Sequence, residues 1–216
     1  MKSITTSNGN SMLHLDRQRL YDDHGRVFEP ETRRWLPAHS MVGKPLNLVA
    51  AVRWLQRESG SPWRPPVGLI GSRNPSERQI ELAEMVGAGI ARLGLTLLCG
   101  GRQGIMEAAC RGAVREGGLT VGLLPDDHWS AANPFVRVPI ATGLGIARNA
   151  IIACASFCLI AIGGGHGTLS EIALGLQFER PVFGLEGAPS VIGVTLIDSW
   201  AKLEDALCRL VLNLPT

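Results

Sequence analysis

The sequence predicts an α/β protein with a doubly wound, mostly parallel, Rossmann-like sheet and an N-terminal appendage. From Val67 onward, short apolar runs alternate with amphipathic segments of helical periodicity, which is typical of strands buried on both faces and covered by helices. Glycine-rich turns follow three of these apolar runs. The chain has 216 residues, of which 45% are hydrophobic and 19% charged, so it is long enough for one main core.

Residues 1–64 lack this alternation and are predicted to form the appendage, and residues 65–216 to form the Rossmann-like domain that binds a nucleotide or phosphate. In the appendage, RLYDDHGRVFEPETRRWLP indicates a hairpin that turns at residues 23–25. The segment PLNLVAAVRWLQRES, which begins at Pro45, has apolar residues at helical spacing and predicts a helix. The segment GSPWRPP, residues 60–66, is typical of a linker.

Six strands and five helices are predicted in the domain that follows. The strands are residues 67–71, 95–100, 119–124, 136–141, 157–163 and 181–185. The helices begin near Ser76, Gly104, Gly145 and Leu169, and a last one runs from about residue 201 to 212. Right-handed crossovers predict the strand order 3-2-1-4-5-6, with ligands bound beyond the carboxyl ends of the strands.

Charge and cysteine content narrow the class of partner and the compartment. A net charge of +2 is too small to favour nucleic acid or a membrane surface, so a small molecule is the expected partner. The five cysteines form no C-x-x-C pair and mostly lie in apolar contexts, which predicts buried free thiols and a reducing cytoplasm. The start MKSITTSNGNSMLHL lacks the apolar core of a signal peptide, and the longest apolar run, 150–162, is too short to span a bilayer.

The three glycine-rich turns are GSRNPSE, CGGRQGIMEAA and GGGHGTLSE, after the first, second and fifth predicted strands. Glycine permits a close approach to the backbone, and the helix that follows each turn presents free N–H groups. The turns therefore predict a phosphate site, and the ligand-binding residues taken from them are Gly71, Ser72, Gly100, Gly101, Gly104, Gly164, Gly165 and Gly167. The alternative is that the glycines only turn strands tightly into helices. None of these turns continues into G-K-[ST], the end of the phosphate-binding loop of ordinary ATPases. The dinucleotide-binding pattern G-x-G-x-x-G is also missing after the first strand, which argues against a dinucleotide dehydrogenase.

Two charged residues near these turns are candidates for a role in the site. Arg148 lies about one turn into the helix after the fourth strand, among small and apolar residues, and either reaches the ligand edge or forms a solvated or structural ion pair. Glu171 ends the sequence TLSE, which matches a capping box starting at Thr168, so it either caps the helix or faces the ligand.

Other polar residues near the turns have simpler explanations. Arg73 is an ambiguous ligand contact, because NPSE after it predicts an N-cap at Asn74 followed by a helix-initiating proline. His166 either donates to an anion or fills an exposed position. The sequence DDHW, residues 126–129, favours a solvated loop over a metal site, and no metal is predicted.

Three segments, GGRQGIMEAACRGA, GLGIARNAII and AIGGGHGTLSEIALGL, resemble in order and spacing the LONELY GUY-like superfamily, formerly labelled lysine decarboxylase-like and related to DNA-processing protein A. The resemblance covers about residues 66–213. It is closest to the branch that includes the molybdenum cofactor carrier proteins.

The resemblance implies roles for single residues. Phosphoribohydrolases of this superfamily carry P-G-G-x-G-T-x-x-E and an Arg-Lys pair and cleave the N-glycosidic bond of nucleoside 5′-monophosphates. Matching residues here imply phosphate binding by the glycine loop with Thr168, and catalytic roles for Glu171 and Arg148 if the chain is an enzyme. Gly163 replaces the proline and Asn149 the lysine, as in the carrier branch, which implies a phosphate-bearing pterin bound without chemistry.

The sequence thus favours a cytoplasmic carrier of a phosphate-bearing ligand, either a nucleotide or the molybdenum cofactor, with no required cofactor. The resemblance implies a homo-oligomer, a dimer or tetramer. The alternatives are a nucleoside 5′-monophosphate phosphoribohydrolase and a protein-interaction module built around the appendage. Lysine decarboxylation is not expected, because a pyridoxal phosphate enzyme needs a lysine in its site to form a Schiff base. The lysines of the chain are Lys2, Lys44 and Lys202, and none lies at a predicted strand end.

Overall fold

A computed structural model describes residues 13–38 and 43–215 of the chain. These residues form two compact units. The small unit contains the described residues up to Pro62 and from Asp205 onward, and the large unit is Trp63–Glu204. Within the described residues, no helix is both long and apolar enough to cross a bilayer.

The small unit contains an antiparallel sheet of order β4-β3-β2-β1-β5. Its strands are β1 Leu13–Asp16, β2 Arg19–Tyr21, β3 Arg26–Glu29, β4 Arg34–Pro37 and β5 Lys44–Leu46. The helix that follows, α1, is Leu48–Arg57, and Asn47 caps it by accepting a hydrogen bond from the Ala50 N–H at 2.8 Å. The predicted hairpin is present as β2 and β3, but the sequence analysis missed β1 and β5, which are only four and three residues long.

The large unit contains a seven-stranded sheet of order β12-β11-β10-β6-β7-β8-β9, in which every neighbouring pair is parallel. Its strands are β6 Val67–Gly71, β7 Leu97–Cys99, β8 Thr120–Leu124, β9 Val138–Ala141, β10 Cys158–Ile162, β11 Val182–Leu185 and β12 Val194–Leu196. Its helices are α2 Glu77–Arg92, α3 Ile105–Arg115, α4 Arg148–Ala155 and α5 His166–Gln177. Of the last helix, α6 Trp200–Val211, residues 200–204 belong to the large unit and residues 205–211 to the small unit. The predicted Rossmann-like class is confirmed.

The predicted strand order was wrong in the position of β9. Counted from β6, the observed order is 4-3-2-1-5-6-7, so β9 lies at the edge beside β8 and not between β6 and β10. The link 125–137 contains only a short 3₁₀ turn, Trp129–Ala131, and no crossover helix, so the chain continues into the next position of the sheet. Pro139, which lies within β9, was a sequence signal for this edge, because proline has no N–H to donate to a neighbouring strand and is therefore found in edge strands.

The central strands of the sheet position the candidate site. β10 and β6 are neighbours, with Ile162 opposite Gly71, and β7 adjoins β6 on its other side. Because parallel strands end at one edge, the three glycine-rich turns after β6, β7 and β10 lie side by side. The order also reverses between β6 and β10, which is where doubly wound sheets bind ligands.

Candidate functional site

A cavity of about 370 Å³ opens at this edge of the sheet. One wall is the turn after β6, residues 71–74, together with Met106 of α3. The other wall is the start of α5, from Gly165 to Glu171, together with Arg148 and Asn149 of α4. The turns after β6 and β10 therefore converge on one cavity.

The start of α5 presents backbone N–H groups. The helix begins at His166, and its N-cap is Gly165, which has no side chain to accept from the first turn. The first intrahelical bond in this region runs from the Leu169 N–H to the Gly165 carbonyl at 2.9 Å. The N–H groups before Leu169 thus have no partner within the helix, and they carry the positive end of its dipole.

The glycines of this turn fall into two groups. Gly163 and Gly164 have φ of +55° and +122°, and a Cβ on Gly164 would collide with the side chain of Thr168, so the turn itself requires them. Gly165 has φ of −124°, neither it nor Gly167 has a positive φ, and a Cβ on either would meet no atom of the described residues within 4 Å. The fold itself therefore does not need glycine at either position. The space over these two residues is open to a ligand.

Arg148 and Glu171 form an ion pair in the cavity wall. The side chains are almost completely buried, and Arg148 Nη1 lies 3.2 Å from Glu171 Oε1. The same Nη1 donates to Asn149 Oδ1 at 2.6 Å, and Nη2 donates to the Gly100 carbonyl at 3.5 Å. Arg148 Nε is buried without a hydrogen-bond partner in the described part of the chain. The Nε donor of the guanidinium therefore remains unused.

Burial changes the protonation of this pair. Loss of solvent raises the pKa of Glu171 to about 7, although the charges of Arg148 and Arg73 act in the opposite direction. Burial also lowers the pKa of Arg148, while Glu171 opposes that change. The Glu171 carboxyl thus changes charge near neutral pH, but the guanidinium stays protonated.

The predicted N-cap of α2 at Asn74 was wrong, and of the two alternatives for Glu171 the structure excludes the capping box. Glu171 does not close a capping box with Thr168, because α5 begins before Thr168, which lies buried in the first turn. The cap of α2 is Ser76 and not Asn74, since Ser76 Oγ accepts from the Gln79 N–H and Gln79 Oε1 accepts from the Ser76 N–H. The start of each helix depends on how the preceding turn packs, which the local sequence alone does not specify.

Several predicted glycines lie beside the cavity and not in its lining. Gly100 offers its carbonyl to Arg148, and Gly101 and Gly104 have φ of +71° and +76°. A Cβ on Gly104 would collide with backbone carbonyls of the turn after β6, and Gly164 packs against Thr168. Of these four glycines, Gly104 allows the turn after β7 to approach the turn after β6. The predicted residues that do line the cavity are Gly71, Ser72, Arg73, Gly165, Gly167 and Thr168.

The sequence analysis missed three lining residues as contacts, namely Asn74, Met106 and Asn149. Asn74 was assigned to capping, Met106 looks like an ordinary apolar helix residue, and Asn149 was noted only as a departure from a family pattern. In the DDHW loop, the rings of His128 and Trp129 stack with centroids 5.2 Å apart, and Asp126 pairs with Arg102. Within residues 13–38 and 43–215, no group of three His, Cys, Asp or Glu side chains is arranged to hold a metal.

The fold and cavity define an α/β protein of Rossmann-like class with a cavity where the strand order reverses. A model of the SLOG cluster4 family matches residues 64–208, and the chain belongs to this family. The resemblance to LONELY GUY-like proteins is thereby confirmed.

Three similar proteins extend this assignment. An uncharacterised protein of Archaeoglobus fulgidus is 39% identical over 133 residues, which cover 62% of this chain and 87% of that protein. A cytokinin riboside 5′-monophosphate phosphoribohydrolase of Rhodococcoides fascians is 32% identical over 123 residues, 52% of this chain and 58% of the enzyme. The solved molybdenum cofactor carrier protein of Chlamydomonas reinhardtii is 35% identical with a TM-score of 0.63, over 68% of this chain and 99% of that protein.

Proposed function

We propose that this protein binds a small phosphate-bearing ligand, either a nucleotide or the molybdenum cofactor, and carries it without converting it. The observation that carries the proposal is the open space over Gly165 and Gly167, two glycines that the fold does not require, at an uncapped helix start. A group that needs close access to backbone N–H donors fits this space, and phosphate is the common example.

The cavity supplies donors and positive charge on two sides of the proposed phosphate. The N–H groups of the first α5 turn lie on one side, and Arg73 and Arg148 also line the cavity. Hydrogen bonds to a charged group contribute about 1.5 to 3 kcal/mol each, against about 0.3 to 1 kcal/mol for the helix dipole. Several direct bonds therefore dominate the affinity.

Glu171 makes this binding depend on protons. A carboxylate about 4 Å from a phosphate charge would cost about 4 kcal/mol at an effective dielectric constant of 20. Because the pKa of Glu171 is already about 7, the carboxyl can take up a proton as phosphate enters. Protonation releases Arg148 from its ion pair, so the guanidinium becomes available to the ligand.

Two departures from the phosphoribohydrolase pattern favour a carrier over an enzyme. Gly163 has φ of +55°, which a proline, fixed near −65°, cannot adopt. Asn149 stands where those enzymes have lysine, and its side chain contacts Arg148 and Ser170 at 2.6 and 3.4 Å. The match to the Chlamydomonas carrier also covers nearly all of that protein, whereas the match to the phosphoribohydrolase covers 58% of it.

Native mass spectrometry of freshly purified protein tests the carrier function. The proposal predicts a retained ligand with the mass of a nucleotide or a molybdopterin, lost in Gly167→Ala and kept in Gln177→Ala, a control at an exposed site at the far end of the same helix. Protein that carries no ligand, and also fails to bind AMP and molybdenum cofactor when these are added, would contradict the proposal.

A second candidate function is phosphoribohydrolysis of nucleoside 5′-monophosphates. It is favoured by the presence of Arg148 and Glu171 in the same cavity wall as the glycine loop. In this reaction Glu171 would stabilise an oxocarbenium-like centre and Arg148 would position the ligand. Release of adenine from AMP that disappears in Glu171→Ala and Arg148→Ala, but persists in Gln177→Ala at the far end of α5, would establish the enzyme and overturn the carrier.

The proposal includes a homodimer formed through α4 and α5. Arg148 and Glu171 are the only Asp, Glu, Lys or Arg residues of these two helices, and they are buried. The face that remains exposes Ile151, Leu169 and Ala173, and Ile146 just before α4 is 85% exposed. A surface helix normally has a polar outer side, so an uncharged pair of helices favours contact with the same face of a second copy.

A further inference from the structure

Two thiols lie against each other beside Gly100, whose carbonyl accepts a hydrogen bond from Arg148, and the proposed function does not use these thiols. Cys99 is the last residue of β7 and Cys110 lies on α3. Their Sγ atoms are 3.6 Å apart, and their side chains are fully buried. We propose that this pair is a redox site, in which a hydroperoxide joins Cys99 and Cys110 in an intramolecular disulfide that rearranges the Gly100 turn and displaces Arg148.

The geometry of the pair suits an intramolecular bond. A disulfide requires sulfurs about 2.05 Å apart, so these two must approach each other by about 1.5 Å. Such a movement is within reach of a side-chain rotation combined with a small shift of the backbone. By contrast, Cys154 is exposed on α4 and can react only as a separate surface thiol.

The surroundings of Cys99 favour its thiolate, which is the reactive form of cysteine. A hydrogen bond from the Cys110 thiol lowers the pKa of Cys99, and the Gly101 N–H, 3.3 Å from Cys99 Sγ, acts in the same direction. Burial opposes these effects, and the charge of Arg148 supports them. The pKa of Cys110 is raised by the same hydrogen bond and by burial, so this thiol keeps its proton. Cys99 is thus the attacking group and Cys110 the resolving one.

The chemistry proceeds in two balanced steps. Cys99 sulfur attacks one oxygen of hydrogen peroxide, the O–O bond breaks, and the released hydroxide takes the Cys99 proton to form water. Cys110 sulfur then attacks the sulfenic acid, the S–O bond breaks, and the second hydroxide takes the Cys110 proton to form a second water. The protein loses two hydrogen atoms, that is, two protons and two electrons, and these reduce the peroxide to two water molecules.

The disulfide is coupled to the cavity through Gly100, which directly follows Cys99. The Gly100 carbonyl accepts from Arg148 Nη2, and a Cβ on Gly100 would collide with that guanidinium and lie 2.9 Å from Met106 Sδ. Arg148 and Met106 line the cavity. Because both side chains lie close to Gly100, we expect a shift of Cys99 to move the Gly100 carbonyl and with it the Arg148 side chain.

The first test measures the bond itself. Protein carrying Cys154→Ser, which removes the exposed thiol, is treated with hydrogen peroxide and analysed by intact mass and non-reducing peptide mapping. We expect the loss of two hydrogen atoms, a peptide that links Cys99 to Cys110, and reversal by dithiothreitol. In Cys110→Ala, a sulfenic acid at Cys99 should accumulate and be trapped by dimedone. Protein that stays reduced at both positions while it remains folded would overturn the proposal.

The second test measures the coupling. Hydrogen–deuterium exchange should increase on oxidation in peptides that contain residues 100–106 and Arg148, and should not change in the Cys110→Ala variant. An unchanged exchange pattern after complete disulfide formation would overturn the switch.

Ligand affinity gives a separate readout of the same coupling. Only this readout rests on the proposed function. We expect oxidation to weaken AMP binding by about tenfold, which is the effect of losing one hydrogen bond to a charged group. If the oxidised protein binds AMP as tightly as the reduced protein, the coupling is wrong. If the reduced protein binds no AMP, the nucleotide part of the proposed function fails, and the two preceding tests still decide the redox site.

Discussion

Arg148 and Glu171 lie 23 positions apart in the chain and form an ion pair with an N–O distance of 3.2 Å, at 5% and 8% exposure. The pair joins α4 to α5 in the wall of the cavity. Its charges are costly to bury, since each has left water, and they remain stable there only as partners. This relationship makes the stability of the protein and the proposed ligand binding depend on the same two side chains.

Removing one partner should therefore destabilise the protein. We expect Arg148→Met to lower the free energy of unfolding by about 3 to 5 kcal/mol above pH 7, where Glu171 would be left as an unpaired buried charge. Glu171→Gln resembles the protonated carboxyl, so below pH 4.5 it should cost less, at most about 1.5 kcal/mol. Urea denaturation of the single and double variants measures the coupling, and strictly additive losses would contradict the ion pair.

The stability should also depend on pH through Glu171. Its pKa is raised from an ordinary 4.5 to about 7, so the folded protein favours the protonated carboxyl. That contribution is fully present below pH 4.5 and is lost as the pH rises through about 7. Relative to Glu171→Gln, the wild-type free energy of unfolding should fall by about 3 kcal/mol across this range. Parallel stability curves for the two proteins would show that Glu171 titrates normally.

Ligand binding should consume protons near neutral pH. If phosphate entry protonates Glu171, calorimetric titration of AMP in buffers of different ionisation enthalpy will show proton uptake at pH 7, and Glu171→Gln will abolish that uptake. The affinity of wild type should rise as the pH falls from about 8 to about 6, in the range where Glu171 gains its proton. Proton release, or uptake that persists in the variant, would contradict this coupling.

Adding one methyl group at Gly167 should raise the stability of the protein while it lowers the affinity for the ligand. Since a Cβ there meets no described atom within 4 Å and the residue lies in α5, Gly167→Ala should stabilise the fold by about 0.5 to 1 kcal/mol. The same methyl group would occupy the space proposed for phosphate, and we expect AMP affinity to fall by at least about tenfold, the loss of one charged hydrogen bond. Thermal unfolding and calorimetry measure the two effects, and unchanged affinity would place the phosphate elsewhere.

The exposed, uncharged face of α4 and α5 predicts that two copies of the chain form a dimer through this face. Ile151→Glu puts a charge in the middle of this uncharged face and should convert the dimer to a monomer, as measured by size-exclusion chromatography with light scattering. Met85→Glu, at an exposed apolar site on α2, is the control and should leave the assembly unchanged. A wild-type protein that is monomeric would rule out the interface.

The sequence predicted those parts of the molecule that depend on local patterns. The alternation of apolar runs and helices identified the sheet. The glycine turns located the edge at which the cavity opens, because strands that end at one edge bring their turns together. Arg148 was identified since it is a lone charge in an apolar segment. Each of these signals lies within a few neighbouring residues.

The errors arose where tertiary contacts decide the outcome. The position of β9 depends on a link without a helix, and the start of α5 depends on how Thr168 packs against Gly164. Neither the pairing of Arg148 with Glu171 nor the contact of Cys99 with Cys110 has a spacing signal, because the partners come from different elements. Burial, which sets the pKa of Glu171, is likewise a property of the assembled fold.

A crystal structure grown in sulfate-rich solution tests the central claim most directly, because sulfate is a doubly negative, tetrahedral substitute for phosphate. The account predicts sulfate over Gly165 and Gly167, about 2.7 to 3.2 Å from N–H groups of the first α5 turn, with the Arg148 guanidinium directed at it. A cavity that stays vacant, or turns after β6 and β10 that diverge, would contradict it.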